Sequence, residues 1–356
     1  MGNPYSNLKI FRHKEYLDAI ENGEWMPPIY IRIKPTNHCN HHCAYCTYGS
    51  GDTDQKTENR DNVDHRSIIP WEDMQNILKD VCDMGVKAVT FSGGGEPLTY
   101  PKIKESARIL QDSGIELSLI SNGELLDEER ATAFYKAKWV RISFDSPNKE
   151  EYCRLRNLKP ERFDRVVNNI REFAGKKDGD CVLGVNYVVG KANAHRVYEA
   201  AELLKNLGVN NVKFAALIDN QPNYHRDIKD NVIKQIHNAI NDFSDDHFQI
   251  FNNYENDWKD KNFAGVPYEQ CYTCRLVTVI GADQKVYLCH TQAYDSNAVV
   301  GDIRDKGFKA LWNSKETRDR LKSLCPRIDC KCSCVYEGRN QAILGYFDSN
   351  KHINFI

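Results

Sequence analysis

The residue pattern predicts an α/β protein, with a parallel sheet of six strands, helices between them, and a smaller cysteine-rich unit after the sheet. Three observations predict it. Between residues 29 and 217, short apolar runs alternate with amphipathic helical stretches. Gly85, Gly114 and Gly208 each stop a helical stretch ahead of a strand. Ten of the thirteen cysteines fall in two groups, Cys39 to Cys46 and Cys271 to Cys334.

In chain order, residues 1–28 read as a helix at about 11–22 and a linker ending in Pro27-Pro28. Strands follow at 29–34, 87–92, 115–120, 139–144, 182–189 and 212–217. Helices fall at 71–84, 101–113, 126–137, 162–173, 194–207 and 230–243. The stretch 49–67, rich in Gly, Asp, Asn and Thr, reads as a mobile surface loop that could serve as a lid. Residues 245–268 read as a charged, aromatic linker. The expected units are 1–28, the sheet and its helices over 29–245, and a cysteine-rich unit over 246–356.

Ligands of parallel α/β sheets sit at the carboxyl ends of the strands. Four polar stretches fall there. They are the cysteine loop, Ser92-Gly93-Gly94-Gly95-Glu96-Pro97, Ser121-Asn122-Gly123, and Ser143 with Asp145. The triple glycine permits positive φ or a close backbone approach. It is neither a dinucleotide fingerprint nor a Walker loop, because the required registers are absent.

The loop Cys39-Asn40-His41-His42-Cys43-Ala44-Tyr45-Cys46 places three thiols in eight residues, spaced C-x3-C-x2-C. Three thiolates suit an iron–sulfur cluster with one iron left open. Zinc is the rival, since His41 or His42 could complete a four-ligand site.

Composition bounds the rest. A chain of 356 residues, 41% hydrophobic, can bury one large core and a smaller unit. A net charge of −2 recruits neither nucleic acid nor an anionic membrane surface. No apolar run is long enough for a membrane span, and no signal-peptide block precedes residue 20, so a cytoplasmic protein is expected. Thirteen cysteines in that setting argue for metal or redox chemistry over disulfides.

The C-x3-C-x2-C loop after one strand, with Tyr45 before its last cysteine, and Gly-Gly-Glu after the next, resembles the radical S-adenosylmethionine (SAM) superfamily. The resemblance covers roughly residues 29–220 and implies a partial (β/α)6 TIM-like barrel. It implies that Cys39, Cys43 and Cys46 hold a [4Fe–4S] cluster whose open iron chelates SAM. Gly94, Gly95 and Glu96 would meet the methionyl amine through their backbone, and Tyr45 the adenine. Asn122, Ser143 and Asp145 would contact the cofactor, with Ser121 a similar candidate, and Arg156 would grip a carboxylate. One electron cleaves the sulfonium to a 5′-deoxyadenosyl radical, which removes hydrogen from an unactivated carbon. A flavodoxin or ferredoxin would supply the electron.

Further on, Cys271-x2-Cys274, a β-hairpin ending at Cys289, Val300-Gly301-Asp302-Ile303, Phe308, Leu311-Trp312 and a last cysteine group resemble the SPASM/Twitch domain. Two features depart from it. Gln284 stands where a glycine is usual, and the last group is spaced C-x4-C-x-C-x-C. The resemblance implies at least one auxiliary [4Fe–4S] cluster, assigned to Cys271, Cys289, Cys330 and Cys334. Cys274, Cys325 and Cys332 could join it or build a second, and zinc satisfies the same thiols.

These features predict a radical SAM enzyme of oxidoreductase or isomerase type. It would act on a small polar substrate, carbohydrate or aminocyclitol-like, by oxidation or epimerisation. In epimerisation, Cys153 or Cys181 could return hydrogen to the substrate. The alternatives are a peptide or protein maturase and, more remotely, a non-catalytic iron–sulfur electron carrier.

Overall fold

The computed structural model describes residues 5–49, 63–218, 223–257, 266–330 and 334–348. All six expected strands form: β1 Tyr30–Ile33, β2 Ala88–Phe91, β3 Glu116–Ser121, β4 Trp139–Ser143, β5 Val182–Val189 and β6 Asn211–Ala216. Each runs parallel to the next. Alternation sets their faces. In β1, Ile31 and Ile33 are fully buried among the helices, while Tyr30 and Arg32 face the concave interior.

Helices clothe the outer face for the same reason. In the helix Trp71–Asp83, Met74, Ile77, Leu78 and Val81 form one buried stripe. Gly85, at φ +70°, then turns the chain into β2, a backbone state that suits glycine.

Three elements depart from the expectation. The helix expected at 126–137 is reduced to Glu128–Ala131. The Thr132 hydroxyl bonds back to the Glu129 carbonyl at 3.0 Å, and the chain continues in turns. A helix not anticipated, Lys149–Arg156, starts at Asn148, whose side chain accepts from the Glu151 N–H, and ends at left-handed Asn157. In the stretch read as a linker, β7 Gln249–Asn252 extends the sheet beside β6.

The expected hairpin forms, and it is continuous with the sheet. Its first strand, β8 Val277–Ile280, pairs in parallel with β1. β9 Lys285–Tyr287 and β10 Val299–Asp302 follow antiparallel. The result is ten strands in the order β10-β9-β8-β1-β2-β3-β4-β5-β6-β7, an open curved sheet. Gln284, where glycine is usual, occupies the left-handed turn residue at φ +60°. One apolar core runs from Met74 and Leu78 to Phe308 and Trp312. A second, smaller one joins Ile10 and Leu17 to Leu276, Tyr336 and Ile343. Trp25 and Trp312 each donate an indole N–H to a carbonyl across this junction, to Trp312 and Met26 respectively, both at 3.0 Å. Most of the loop read as a lid, residues 50–62, lies outside the described residues. Among the described residues, no helix is long and apolar enough to cross a membrane.

Candidate functional site

The cysteine loop leaves β1 and lies over the carboxyl end of the sheet. Its backbone is held on two sides. On one side, the Gly95 N–H donates to the Thr36 carbonyl (3.2 Å) and the Glu96 N–H to the His38 carbonyl (2.8 Å). A Cβ on Gly94 would stand 2.1 Å from Asn37 Oδ1, and one on Gly95 2.0 Å from the His38 carbonyl. The glycines therefore serve close approach to the cysteine loop. None of Gly93, Gly94 and Gly95 takes positive φ.

On the other side stands the helix Lys149–Arg156. The last carbonyls of a helix have no partner within it. Those of Leu155 and Arg156 accept from Ala44 N–H (3.0 Å) and His42 N–H (3.1 Å). Between these supports, the Cys46 N–H closes a turn onto the Cys43 carbonyl at 3.1 Å. Cys39 is exposed and Cys43 and Cys46 are partly so. Although the Cys39 residue is exposed as a whole, the protein packed around its sulfur, followed by the Glu96 carboxylate, pushes the thiol up to about 12, and burial pushes Cys43 up to about 11 against the opposing Arg156 guanidinium. The three thiols lie close enough to raise one another. Metal binding must displace those protons, so loading at this loop releases acid.

Arg156 is 2% exposed, and its whole fork is engaged. Nε donates to Asp145 at 2.6 Å, Nη2 to the Ser143 carbonyl at 2.9 Å, and Nη1 to His41 Nδ1 at 3.2 Å. The carboxylate it grips in the structure is Asp145. Tyr45 lies in the same corner. Its buried hydroxyl stands beside Asp145 without a hydrogen bond of good geometry.

His41 is buried with both ring nitrogens committed, Nδ1 to Arg156 and Nε2 to Glu124 at 2.7 Å. Because Arg156 can only donate, Nδ1 accepts, and Nε2 carries the proton. Burial and the nearby guanidinium groups bring its pKa down to about 4, so the ring is neutral at pH 7. With no nitrogen to spare, His41 cannot serve as a fourth metal ligand.

Glu124 is the residue that sequence reasoning missed. At 2% exposure it accepts from His41, from Asn40 Nδ2 (3.1 Å) and from Arg162 Nε (2.7 Å). Burial raises its pKa, but the hydrogen bonds of His41 and Arg162 outweigh this and hold it below the usual carboxylate range. The only local signal was its place just past Ser121-Asn122-Gly123. Asn122 joins the same network, donating to Asn40 Oδ1 at 2.8 Å. Glu96 ties the β2 and β3 turns together, accepting from Leu98 N–H, Ser121 Oγ and Asn122 N–H. Burial lifts it to about 6 despite those donors.

The structure thus brings together Cys39, Cys43, Cys46, Tyr45, Gly94, Gly95, Glu96, Asn122, Ser143, Asp145 and Arg156. It leaves two thiols elsewhere. Cys153 donates toward the Lys159 carbonyl at 3.5 Å, at the start of the next helix and away from the loop. Cys181 precedes β5, at the amino end of the sheet and opposite the cysteine loop, with its thiol toward the Phe134 carbonyl.

A second thiol group lies behind β8. Cys271, Cys289 and Cys334 are near enough to raise one another's pKa, and the Cys274 thiol donates to the Cys271 carbonyl at 3.0 Å. Fully buried Asn340, on the helix Glu337–Asp348, clamps this segment. It accepts from Tyr272 N–H (2.8 Å) and Thr273 N–H (3.3 Å) and donates to the Gln270 carbonyl (2.8 Å). Of the four ligands expected there, Cys271, Cys289 and Cys334 gather, with Cys274 beside them. Cys325 and Cys330 flank the short helix Pro326–Asp329. Cys332 lies outside the described residues. Among the described residues, no three Cys, His, Asp or Glu side chains converge on a single metal ion. A four-iron cube holds its thiolates farther apart than one ion does, so the absence of a single-ion site does not speak against a cluster. Tyr48 and Tyr294 link the two regions. Tyr48 donates to the His290 carbonyl at 3.4 Å, and Tyr294 bonds Asn37 Oδ1.

Comparison with known proteins agrees with this geometry. Residues 33–204 match the radical SAM superfamily, and residues 271–335 match the SPASM iron–sulfur cluster-binding domain. Among relatives, the AdoMet-dependent heme synthase of Methanosarcina barkeri is 28% identical over 183 residues, 51% of this chain and 48% of that protein. A probable GTP 3′,8-cyclase of Saccharolobus islandicus is 28% identical over 193 residues, 52% of this chain and 56% of that protein. The chain thus spans about half the length of these relatives. Among solved structures, Streptococcus suis SuiB bound to S-adenosylmethionine superposes with a TM-score of 0.63 at 17% identity, over 94% of this chain and 79% of SuiB. Native anSMEcpe with bound AdoMet superposes at 0.59 and 20% identity, over 90% and 97%. These likenesses are of fold. Proteins of the matched families bind SAM and [4Fe–4S] clusters. The donor set here suits both: three undisulfided thiols in one braced loop, a glycine turn against it, and an orphaned tyrosine hydroxyl beside them. The chain carries a radical SAM domain over residues 33–204 and a SPASM iron–sulfur cluster-binding domain over residues 271–335.

Proposed function

We propose that this chain removes hydrogen from an unactivated C–H bond of a small polar, carbohydrate-like substrate, with oxidation or epimerisation as the outcome. The observation that carries the reading is the braced Cys39–Cys43–Cys46 loop seated against the Gly93–Glu96 turn at the carboxyl end of the sheet. When bound there, cluster and SAM supply one-electron cleavage to a 5′-deoxyadenosyl radical.

The chain's own residues do the rest. Cys39, Cys43 and Cys46 would hold the cluster by three thiolates. Gly94, Gly95 and Glu96 present backbone, and Asn122, Ser143, Asp145 and Tyr45 offer polar groups to the cofactor. Arg156 acts through Asp145 and through the loop it braces, since its donors are already spent. Cys271, Cys289 and Cys334, with Cys274 or Cys330, would hold an auxiliary cluster, which would supply an electron acceptor for an oxidation. The route to oxidation is favoured over thiol-mediated epimerisation, because neither Cys153 nor Cys181 faces the mouth. A flavodoxin or ferredoxin in the cytoplasm serves as reductant.

The test is anaerobic reconstitution of the full chain with iron and sulfide, reduction by dithionite and addition of SAM. Formation of 5′-deoxyadenosine supports the enzyme. Its absence with every reductant leaves the electron-carrier reading. A peptide substrate is the second reading, favoured by one observation: the SuiB neighbour has been solved with its precursor peptide SuiA bound.

A further inference from the structure

One peptide unit inside the cysteine loop, between Asn40 and His41, is gripped from three directions. Its carbonyl oxygen accepts from Arg162 Nη2 at 2.9 Å. On its amino side, the Asn40 side chain donates to Glu124 at 3.1 Å and accepts from Asn122 at 2.8 Å. On its carboxyl side, the His41 ring is pinned between Arg156 at 3.2 Å and Glu124 at 2.7 Å. A peptide unit is planar and trans, so its C=O and N–H point in opposite directions. Holding the Asn40 carbonyl therefore aims the His41 N–H. It donates to Cys39 Sγ, with 3.4 Å between nitrogen and sulfur.

The three grips meet at Glu124. Its two oxygens accept from His41 and Asn40 and pair with Arg162, Oε1 with Nε at 2.7 Å and Oε2 with Nη2 at 2.6 Å. Both charged partners are rooted in the helix Pro160–Lys176. Arg162 lies in its first turn, and Asn169, two turns on, holds the Gly123 and Glu124 carbonyls at 2.9 and 2.8 Å. The guanidinium fork is what lets one side chain reach a carboxylate and a carbonyl together. Bracing of the loop's second half is supplied elsewhere, by the helix carbonyls on His42 and Ala44. The grips at Asn40 and His41 fix the direction of one N–H, and that N–H meets a sulfur of the cluster-binding set. Hydrogen bonds to ligand sulfurs help set an iron–sulfur potential. The donor stabilises the extra negative charge of the reduced state, so such a bond makes reduction easier.

We infer that Arg162, Glu124 and His41 are positioning residues that hold the His41 N–H on Cys39 Sγ and thereby raise the reduction potential of the cluster at the cysteine loop. This rests on the cluster of the proposed function and is independent of the substrate. The Arg162–Glu124 pair is neutral as a whole, so it acts through the direction it gives the peptide and not through its net field.

The experiment is a redox titration of the reconstituted full chain, followed by electron paramagnetic resonance. The signal that changes on addition of SAM marks the cluster of the cysteine loop. Arg162→Lys keeps the charge but lacks the fork. Its midpoint is expected to move to more negative potential by a tenfold change in the one-electron equilibrium, about 59 mV. His41→Leu is expected to move the same way. His41→Gln, which offers one acceptor and one donor as the ring does, stays closer to the parent. Because leucine and glutamine are both neutral, their difference is not one of charge. An unchanged or less negative midpoint in Arg162→Lys overturns the inference. So does a His41→Gln midpoint no closer to the parent than that of His41→Leu. Urea unfolding is measured alongside, and lower stability with an unmoved midpoint leaves only a brace. Loss of the loop's iron in both Arg162→Lys and His41→Leu also overturns the inference, since the grips then hold the cluster and do not tune it. SAM cleavage by the unsubstituted chain is scored separately. If 5′-deoxyadenosine forms and the variants' midpoints do not move, the enzyme reading stands and this inference falls. If the midpoints move without cleavage, the reverse is true.

Discussion

The two thiol-bearing regions are assembled by opposite means. At the barrel mouth, three sulfurs come from eight consecutive residues, and the work of the fold is to brace one loop. It does so with charge: Arg156, Asp145, Glu124 and Arg162 are threaded through His41, and most of them are buried. Behind β8, the sulfurs come from Cys271, Cys289 and Cys334, and the work of the fold is to gather segments. It does so with neutral groups, through hairpin pairing and the amide of Asn340. A local loop can be held rigid by expensive buried ions because few degrees of freedom remain to be fixed. A site gathered from distant segments depends on the sheet having already brought them together.

The largest effect that tests this contrast is loss of the cluster itself. Cys43→Ala should remove about four irons per chain and reduce 5′-deoxyadenosine to background. Cys289→Ala should lose a similar share of iron yet keep SAM cleavage. Iron analysis together with product chromatography decides it. If Cys289→Ala also silences cleavage, the Tyr48–His290 and Asn37–Tyr294 links make the two regions one unit and the contrast fails.

The braces should differ next. Arg156→Ala leaves the Asp145 carboxylate buried and alone, which costs about 3–5 kcal/mol. Asn340→Ala leaves two neutral N–H groups and one C=O unpaired, at about 1–3 kcal/mol each. Urea unfolding should therefore show a shift of midpoint for Asn340→Ala that equals or exceeds that of Arg156→Ala. A clearly smaller shift would mean that water takes the place of the Asn340 amide.

The same contrast explains what could be read from the sequence. The six parallel strands were legible because each is a short apolar run closed by turn residues, and the three-thiol loop because its spacing is local. β7 was not, since Gln249–Asn252 is four residues long inside a charged, aromatic stretch. Glu124 was not, because its partners Asn40, His41 and Arg162 lie on other segments and leave no periodic trace. The sequence points Arg156 at a carboxylate, and it grips one, but the carboxylate, Asp145, belongs to the chain. A triple glycine permits positive φ or close approach, and only the second is used here. The pairing of β8 with β1 joins distant parts of the chain and has no signature in either strand.

The smallest effect concerns the fourth auxiliary ligand. The sequence resemblance assigned Cys330 to the set, whereas the geometry places Cys274 beside Cys271, with its thiol on that residue's carbonyl. The two assignments predict different variants. If Cys274 completes the set, Cys274→Ser lowers auxiliary iron and alters the reduced-state electron paramagnetic resonance signal, and Cys330→Ser leaves both near the parent. If Cys330 completes it, the pattern inverts, and the segment after Pro326–Asp329 must close toward Cys289 when the cluster assembles. Both variants should retain SAM cleavage, because neither thiol belongs to the mouth. Intact cleavage with altered auxiliary spectra would separate the two regions more finely than either alanine variant.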